Sequence, residues 1–262
     1  MFTFYRRIRK ALLDSNQARK YFIYAAGEVL LVMIGILLAL QVNNWNEWRK
    51  DRNAEDIILE SLLFDMESNK RQIKRKIEGT KRSVEEMIAK RKFLLASPDA
   101  VSDADLDTLI GVMNMRSSFD PNVGTLNELL NSGSIRVINN GDLRKMISSW
   151  SSNMDEVREE EDLADITLNE FLIPYLMEHS SMADWMSLNS NYGGKLNFRN
   201  HFKGDKSKIL TDLYFENLIN YSISRRKWAI RRYSNMEEYI QEMIDLIRDE
   251  LNGAHITPRP DQ

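Results

Sequence analysis

The chain has 262 residues, no cysteine and a net charge of -3, which excludes disulfides and thiolate chemistry. With that charge the whole protein has no electrostatic footprint for nucleic acid. Glycine and proline are scarce, 11 and 5, while Leu, Met, Glu, Lys and Arg are plentiful. Such a balance favours long helices over sheets, because straight side chains lose little rotamer freedom in a helix.

The charge is unevenly spread. Residues 1–20 carry Arg6, Arg7, Arg9, Lys10, Arg19 and Lys20 against Asp14, a local +5 that leaves about -8 on the remainder. Arg6, Arg7, Arg9 and Lys10 would face lipid phosphates while Phe2, Phe4, Tyr5, Ile8, Leu12 and Leu13 dip into the membrane. From Tyr21 to Leu40 one charge, Glu28, interrupts an otherwise uncharged and mainly apolar run. Twenty helical residues span about 30 Å, the thickness of a bilayer's hydrocarbon core. Tyr21 and Tyr24 at one end, and Trp45 and Trp48 at the other, suit the two interfaces. The run is long for a cleaved signal peptide and no A-x-A site follows it, so a retained anchor is expected. Six basic residues precede the span and Arg49, Lys50 and Arg52 follow it. The positive-inside rule then puts the N-terminus in the cytoplasm and residues 46–262 outside it.

Glu28 has two readings. It lies at the cytoplasmic edge beside Arg19 and Lys20, or it marks a face that docks another transmembrane helix. Gly35 lies seven residues further on, nearly on the same face, and forms a small-xxx-small pair with Ala39. That face would take a second copy or another membrane protein.

Beyond the span, Leu59, Met66, Ile73, Met87 and Leu94 recur on a seven-residue grid, with Leu63, Ile77 and Val84 four residues after positions of that grid. Lys70, Thr80 and Arg91 interrupt the pattern, which favours one helix of a bundle over a tight two-stranded coiled coil. Pro98 ends the run. Ser102 with Asp105, and Thr125 with Glu128, resemble capping boxes, and the second helix stops at Gly133. A long helical stretch is expected from Asp142 to about Glu178, kinked or interrupted at Pro174. Residues 180–205 read as a long loop. A last helix runs from Lys206 to about Leu251, its buried stripe marked by Tyr233, Met236, Ile240, Met243 and Ile247.

Candidate sites are few. Asp103, Asp105 and Asp107 alternate as in a calcium loop, but Thr108 and Asn114 stand where glycine and glutamate are required, so helix-start acids explain them. "SRRKWAIRR" (224–232) interleaves basic and aromatic residues, and the acidic run Asp155 to Asp162 offers it an interhelical partner. The loop 180–205 either recognises a ligand through Trp185, Tyr192, Arg199 and Lys203 or packs over the end of the bundle. His179, His201 and His255 form no metal-spaced pair, and no nucleophile elbow, P-loop or dinucleotide fingerprint is present.

Two blocks carry a family resemblance. Gly27-Glu28 with "LVMIGILLALQVNNWNE" (31–47), behind a basic "RRIRK" leader, is distinctive; "FDPNVGTLNELLNSGSIRVINNGDLRKMI" (119–147) is looser. Together they resemble an uncharacterised single-pass membrane protein family, domain of unknown function (DUF) family 6090. The resemblance implies a Bacteroidetes source and an inner-membrane anchor in a Gram-negative cell, and it brings no catalytic residues.

The expected protein is all-α: an N-terminal single transmembrane helix followed by an antiparallel helical bundle of about four main helices. The expected parts are a cytoplasmic leader (1–20), a membrane helix (21–45), a periplasmic bundle (46–253) and a disordered tail (254–262). Without a catalytic motif the expected role is an interaction, scaffold or sensor-like accessory module at the inner membrane. A membrane-tethered enzyme, with its site in the bundle or under the 180–205 loop, is the alternative. The expected partners are the lipid bilayer and a membrane protein or second copy met through the transmembrane helix. No cofactor, metal or nucleic acid is expected.

Overall fold

A computed structural model describes residues 16–96, 101–116, 118–181 and 206–253. Among them the protein is all-α, without a strand. Helix α1 spans Asn16–Ala96, α2 Asp103–Met113, α3 Gly124–Ser132 and α4 Gly141–Ile166. A π-helical segment, Thr167–Leu172, joins α4 to α5 (Ile173–His179), and α6 (Lys206–Leu210) precedes α7 (Leu213–Gly253). The chain divides into two units, one ending at Ile57 and the other beginning at Ile58.

In the first unit the large apolar side chains of the described residues are exposed. Phe22, Leu31, Leu37 and Val42 are each more than half exposed, and so are most of their neighbours. This helix is long and apolar enough to cross a membrane, with a mean hydropathy of 2.4 over its most apolar window.

In the second unit the heptad grid turns inward. Leu59, Met66, Ile73, Ile77, Val84, Met87 and Leu94 are buried, and Leu62, off the expected grid, joins them. The α1 residues of this unit run antiparallel to α7, as three ion pairs show. Glu67 meets Arg248 at 2.7 Å, Lys74 meets Glu237 at 3.5 Å and Arg91 meets Glu216 at 2.6 Å. Two apolar cores result. One gathers Leu59 to Ile77 of α1, Leu126 and Leu129 of α3, the stretch Leu143 to Val157 of α4, and Ala229 to Ile247 of α7. The other gathers Val84 to Leu94, most of the apolar face of α2, Leu168 to Leu176, and Phe215 to Ile223. Full burial of each Leu, Ile or Met side chain contributes roughly 1.5–3 kcal/mol.

The helix ends are set locally. Ser102 caps α2, accepting from the Asp105 N–H while the Asp105 carboxylate accepts from the Ser102 N–H, a reciprocal box that satisfies two orphan donors. The same arrangement expected at Thr125 does not form. Val123 is the N-cap of α3, and the acceptor comes from α1 instead. The buried Asp65 carboxylate accepts from the Thr125 N–H at 3.3 Å, its hydroxyl at 2.6 Å and the Asn122 amide. Gly133, at φ 71°, takes the left-handed conformation that ends α3. The Asn140 side chain caps α4 through the N–H groups of Asp142 and Leu143.

Pro174 interrupts the long helix only mildly. The widened turn immediately before it, with the Ile173 N–H donating to Leu168 O five residues back, relieves the clash between the proline ring and the preceding turn. The last helix, by contrast, is not continuous from Lys206. Asp212 accepts from the Tyr214 N–H at 2.8 Å and from the Tyr175 hydroxyl at 2.7 Å. It therefore acts as a side-chain cap that starts α7 afresh.

Asp65→Ala removes the acceptor for the half-buried Thr125 and exposed Asn122 donors at the start of α3. It is expected to lower stability by about 1–2 kcal/mol in urea unfolding. Glu67→Ala, which breaks only the exposed pairs with Arg248 and Arg71, is expected to shift it by less than about 1 kcal/mol.

Candidate functional site

Between the two cores the same three helices carry charge. Lys76 and Thr80 fall between Ile77 and Val84 or beside them on α1, Glu160 and Glu161 between Val157 and Leu168, and Arg225 and Arg226 between Ile223 and Ala229. These residues line a cavity of about 450 Å³ that opens beside the π-helical segment. Its volume is in the range of small-molecule sites.

Glu161 is the acceptor at the centre. Its Oε1 takes the Phe119 N–H at 2.9 Å, the Tyr233 hydroxyl at 3.0 Å and the Lys76 ammonium at 3.5 Å. Lys76 also lies 5.2 Å from the Tyr233 ring centroid. Burial pulls the Lys76 pKa below its ordinary value against the opposing pull of Glu161. Burial, reinforced by Glu161, pushes the Tyr233 hydroxyl up, so it stays protonated and donates.

Arg226 does a different job. Its Nη2 donates to the carbonyls of Val112, Met113 and Met115 at 3.0–3.2 Å, and Nη1 reaches Met87 Sδ at 3.3 Å. No basic residue stands in the last turn of α2, so this guanidinium from α7 closes that helix end. Burial lowers its pKa below the usual arginine value.

The remaining pair is loosely held. Arg225 Nη1 lies 3.4 Å from Glu160 Oε2, with side chains 19% and 10% exposed, yet that oxygen accepts no hydrogen bond. Outside the cavity the expected pairing of "SRRKWAIRR" with the acidic run is present between Arg232 and Glu156, at 2.6 Å. Arg231 lies over Trp228 instead, 5.7 Å from the ring centroid.

The sequence-predicted site residues fall elsewhere. Glu28, Gly35 and Ala39 are exposed in the first unit and share a face within about 40° of arc. A Cβ added at Gly35 would meet nothing within 4 Å. Trp185, Tyr192, Arg199 and Lys203, and Arg6, Arg7, Arg9 and Lys10, lie outside the described residues, as does the tail 254–262. The His179 ring stacks on Tyr175 at 4.3 Å, with Nδ1 2.9 Å from the Tyr175 carbonyl oxygen. No group of three or more metal-ligating side chains is found among the described residues. Of the cavity's charges, sequence reasoning found the acidic run and the basic stretch. It missed Lys76, whose only signal was a cation beside the apolar grid.

Glu161→Leu strands the Lys76 ammonium and the Tyr233 hydroxyl in a low-dielectric site, at an expected cost of about 3–5 kcal/mol in urea unfolding. The triple variant Lys76→Met, Glu161→Leu, Tyr233→Phe should recover part of that loss, because of the three donors only the Phe119 N–H is then left without its acceptor.

Among known proteins, the family model described as "Family of unknown function (DUF6090)" matches residues 28–172. No curated protein and no solved structure matches the chain. The match begins at Glu28, takes in both blocks that carried the resemblance apart from Gly27 and the basic leader, and includes Lys76, Glu160 and Glu161 but not Arg225, Arg226 or Tyr233. Since the match covers more than half of its length, the chain belongs to the DUF6090 family of unknown function.

Proposed function

We propose that this chain is a membrane-anchored helical module, an interaction, scaffold or sensor-like accessory subunit of the inner membrane. One observation carries the reading. From Phe22 to Val42 the large apolar side chains are exposed, whereas the heptad residues from Leu59 onward are buried. At roughly 25 cal/mol per Å² of apolar surface, a bare apolar segment of this length needs a bilayer as its solvent. The basic leader then lies at the cytoplasmic face and the helical unit outside the cytoplasm, by the excess of Lys and Arg before the span. Glu28, Gly35 and Ala39 form the face on which a second transmembrane helix packs, with Glu28 offering a polar contact that hydrocarbon does not.

A membrane-tethered enzyme is the second reading, favoured by the convergence of Lys76, Glu161 and Tyr233 on one cavity. Their engagement speaks against it. The lysine is ion-paired, and the tyrosine, pushed up by burial, is a poor proton donor near neutral pH.

Because the chain has no cysteine, Ser15→Cys and Ser152→Cys each create a unique thiol. A membrane-impermeant maleimide is expected to label Ser152→Cys in cells whose outer layers alone are permeabilised, and Ser15→Cys only after lysis. The opposite pattern overturns the orientation, and labelling of both without lysis overturns the anchor. For the docking face, crosslinking in intact cells should lose neighbours on Glu28→Leu; recovery of the same neighbours at the same yield removes that face from the proposal.

A further inference from the structure

The charged layer of the helical unit contains unused binding capacity, and it is concentrated in one pair. Glu161 is occupied by three donors, and Arg226 by three carbonyls and a sulfur. Glu160 and Arg225 are not so engaged. Glu160 is more than nine-tenths buried and is among the residues that line the cavity, and its Oε2 has no hydrogen-bond donor. The Arg225 guanidinium approaches that oxygen at 3.4 Å without hydrogen-bond geometry, and its other contact is the Tyr221 ring at 5.9 Å. A buried carboxylate oxygen without a donor is costly, and a guanidinium fork beside it is built for a carboxylate.

We propose that this cavity binds a small zwitterion of the α-amino-acid type. Glu160 takes the ammonium, Arg225 takes the carboxylate, and the apolar wall formed by Met113, Leu168 and Leu172 takes an apolar side chain. Charge decides the class. A simple anion would satisfy Arg225 and leave Glu160 facing a second negative group. A simple amine would satisfy Glu160 and face Arg225 unpaired. A molecule with both charges on one carbon fits between the two without leaving either buried group worse off. The volume of about 450 Å³ holds such a molecule with its side chain. The proposal goes beyond the membrane-anchored reading and stands independently of the topology.

The full-length chain in lipid nanodiscs is titrated by calorimetry with L-methionine and L-leucine, and with N-acetyl-L-methionine and L-methioninamide as partners lacking one charge. The free amino acids are expected to bind, and each capped form to bind about tenfold or more weakly. Glu160→Gln, which keeps the shape, should weaken amino-acid binding about tenfold. Ala164→Trp, at an exposed position on the cavity rim, should abolish it. Near-UV circular dichroism reports whether Glu160→Gln keeps the fold; if it does not, Ala164→Trp carries the test. Absence of binding by both amino acids at millimolar concentration overturns the proposal. Equal binding of the acetylated form, or unchanged binding in Ala164→Trp, overturns it as well.

Discussion

A single carboxylate, Glu161, ties three separate stretches of the helical unit together. It draws the Phe119 N–H from the segment before α3, the Tyr233 hydroxyl from α7 and the Lys76 ammonium from α1 onto one oxygen. Apolar contacts alone would allow α1, α4 and α7 to slide along one another, because Leu, Ile and Met side chains of similar size pack in neighbouring registers. The charged layer removes that freedom. A slip of one turn would carry Lys76 away from Glu161 and leave both buried without partners, a penalty larger than any packing gained. The layer also explains why the unit has two apolar cores rather than one. All three long helices change from apolar to charged at the same level, so the cores meet across a polar seam.

Such a seam is poor evidence for stability in itself, since well-packed apolar residues often replace buried ion pairs without loss. Its members differ in how fully they are satisfied. Lys76 and Tyr233 converge on one acceptor, and Arg226 closes the C-terminal end of α2, so these groups act as structural ties. Glu160 and Arg225 pair with each other at 3.4 Å, and Glu160 Oε2 accepts no hydrogen bond. The contrast within one layer separates the part that sets register from the part with capacity left over.

Much of the fold was legible because its period is local. The heptad from Leu59 to Leu94, the stripe from Tyr233 to Ile247, the capping box at Ser102 and the stop at Gly133 are all written within a few turns of sequence. Where the reading failed, a distant residue supplied what a neighbour was expected to supply. Thr125 looked like a cap, but Asp65, sixty residues earlier, holds the start of α3. The last helix looked continuous from Lys206, but Asp212, held from the other side by Tyr175, restarts it. The candidate site was less legible for the same reason. A lysine at the margin of an apolar grid reads as a solvated neighbour until the acidic run on α4 is brought against it.

The π-helical segment shows how one local constraint shapes the cavity. Pro174 cannot donate, and its ring would clash with the turn before it, so the helix widens over Thr167–Leu172 rather than breaking. A wider turn adds a residue to the circuit and rotates the residues on its N-terminal side relative to those on its C-terminal side. Leu168 and Leu172 thereby remain in the second core while Glu160 and Glu161, two turns earlier, keep their place in the charged seam. The cavity opens beside this widened turn, which supplies Thr167, Leu168 and Leu172 to its wall, while Lys76 reaches it from α1 and Arg225 and Arg226 from α7.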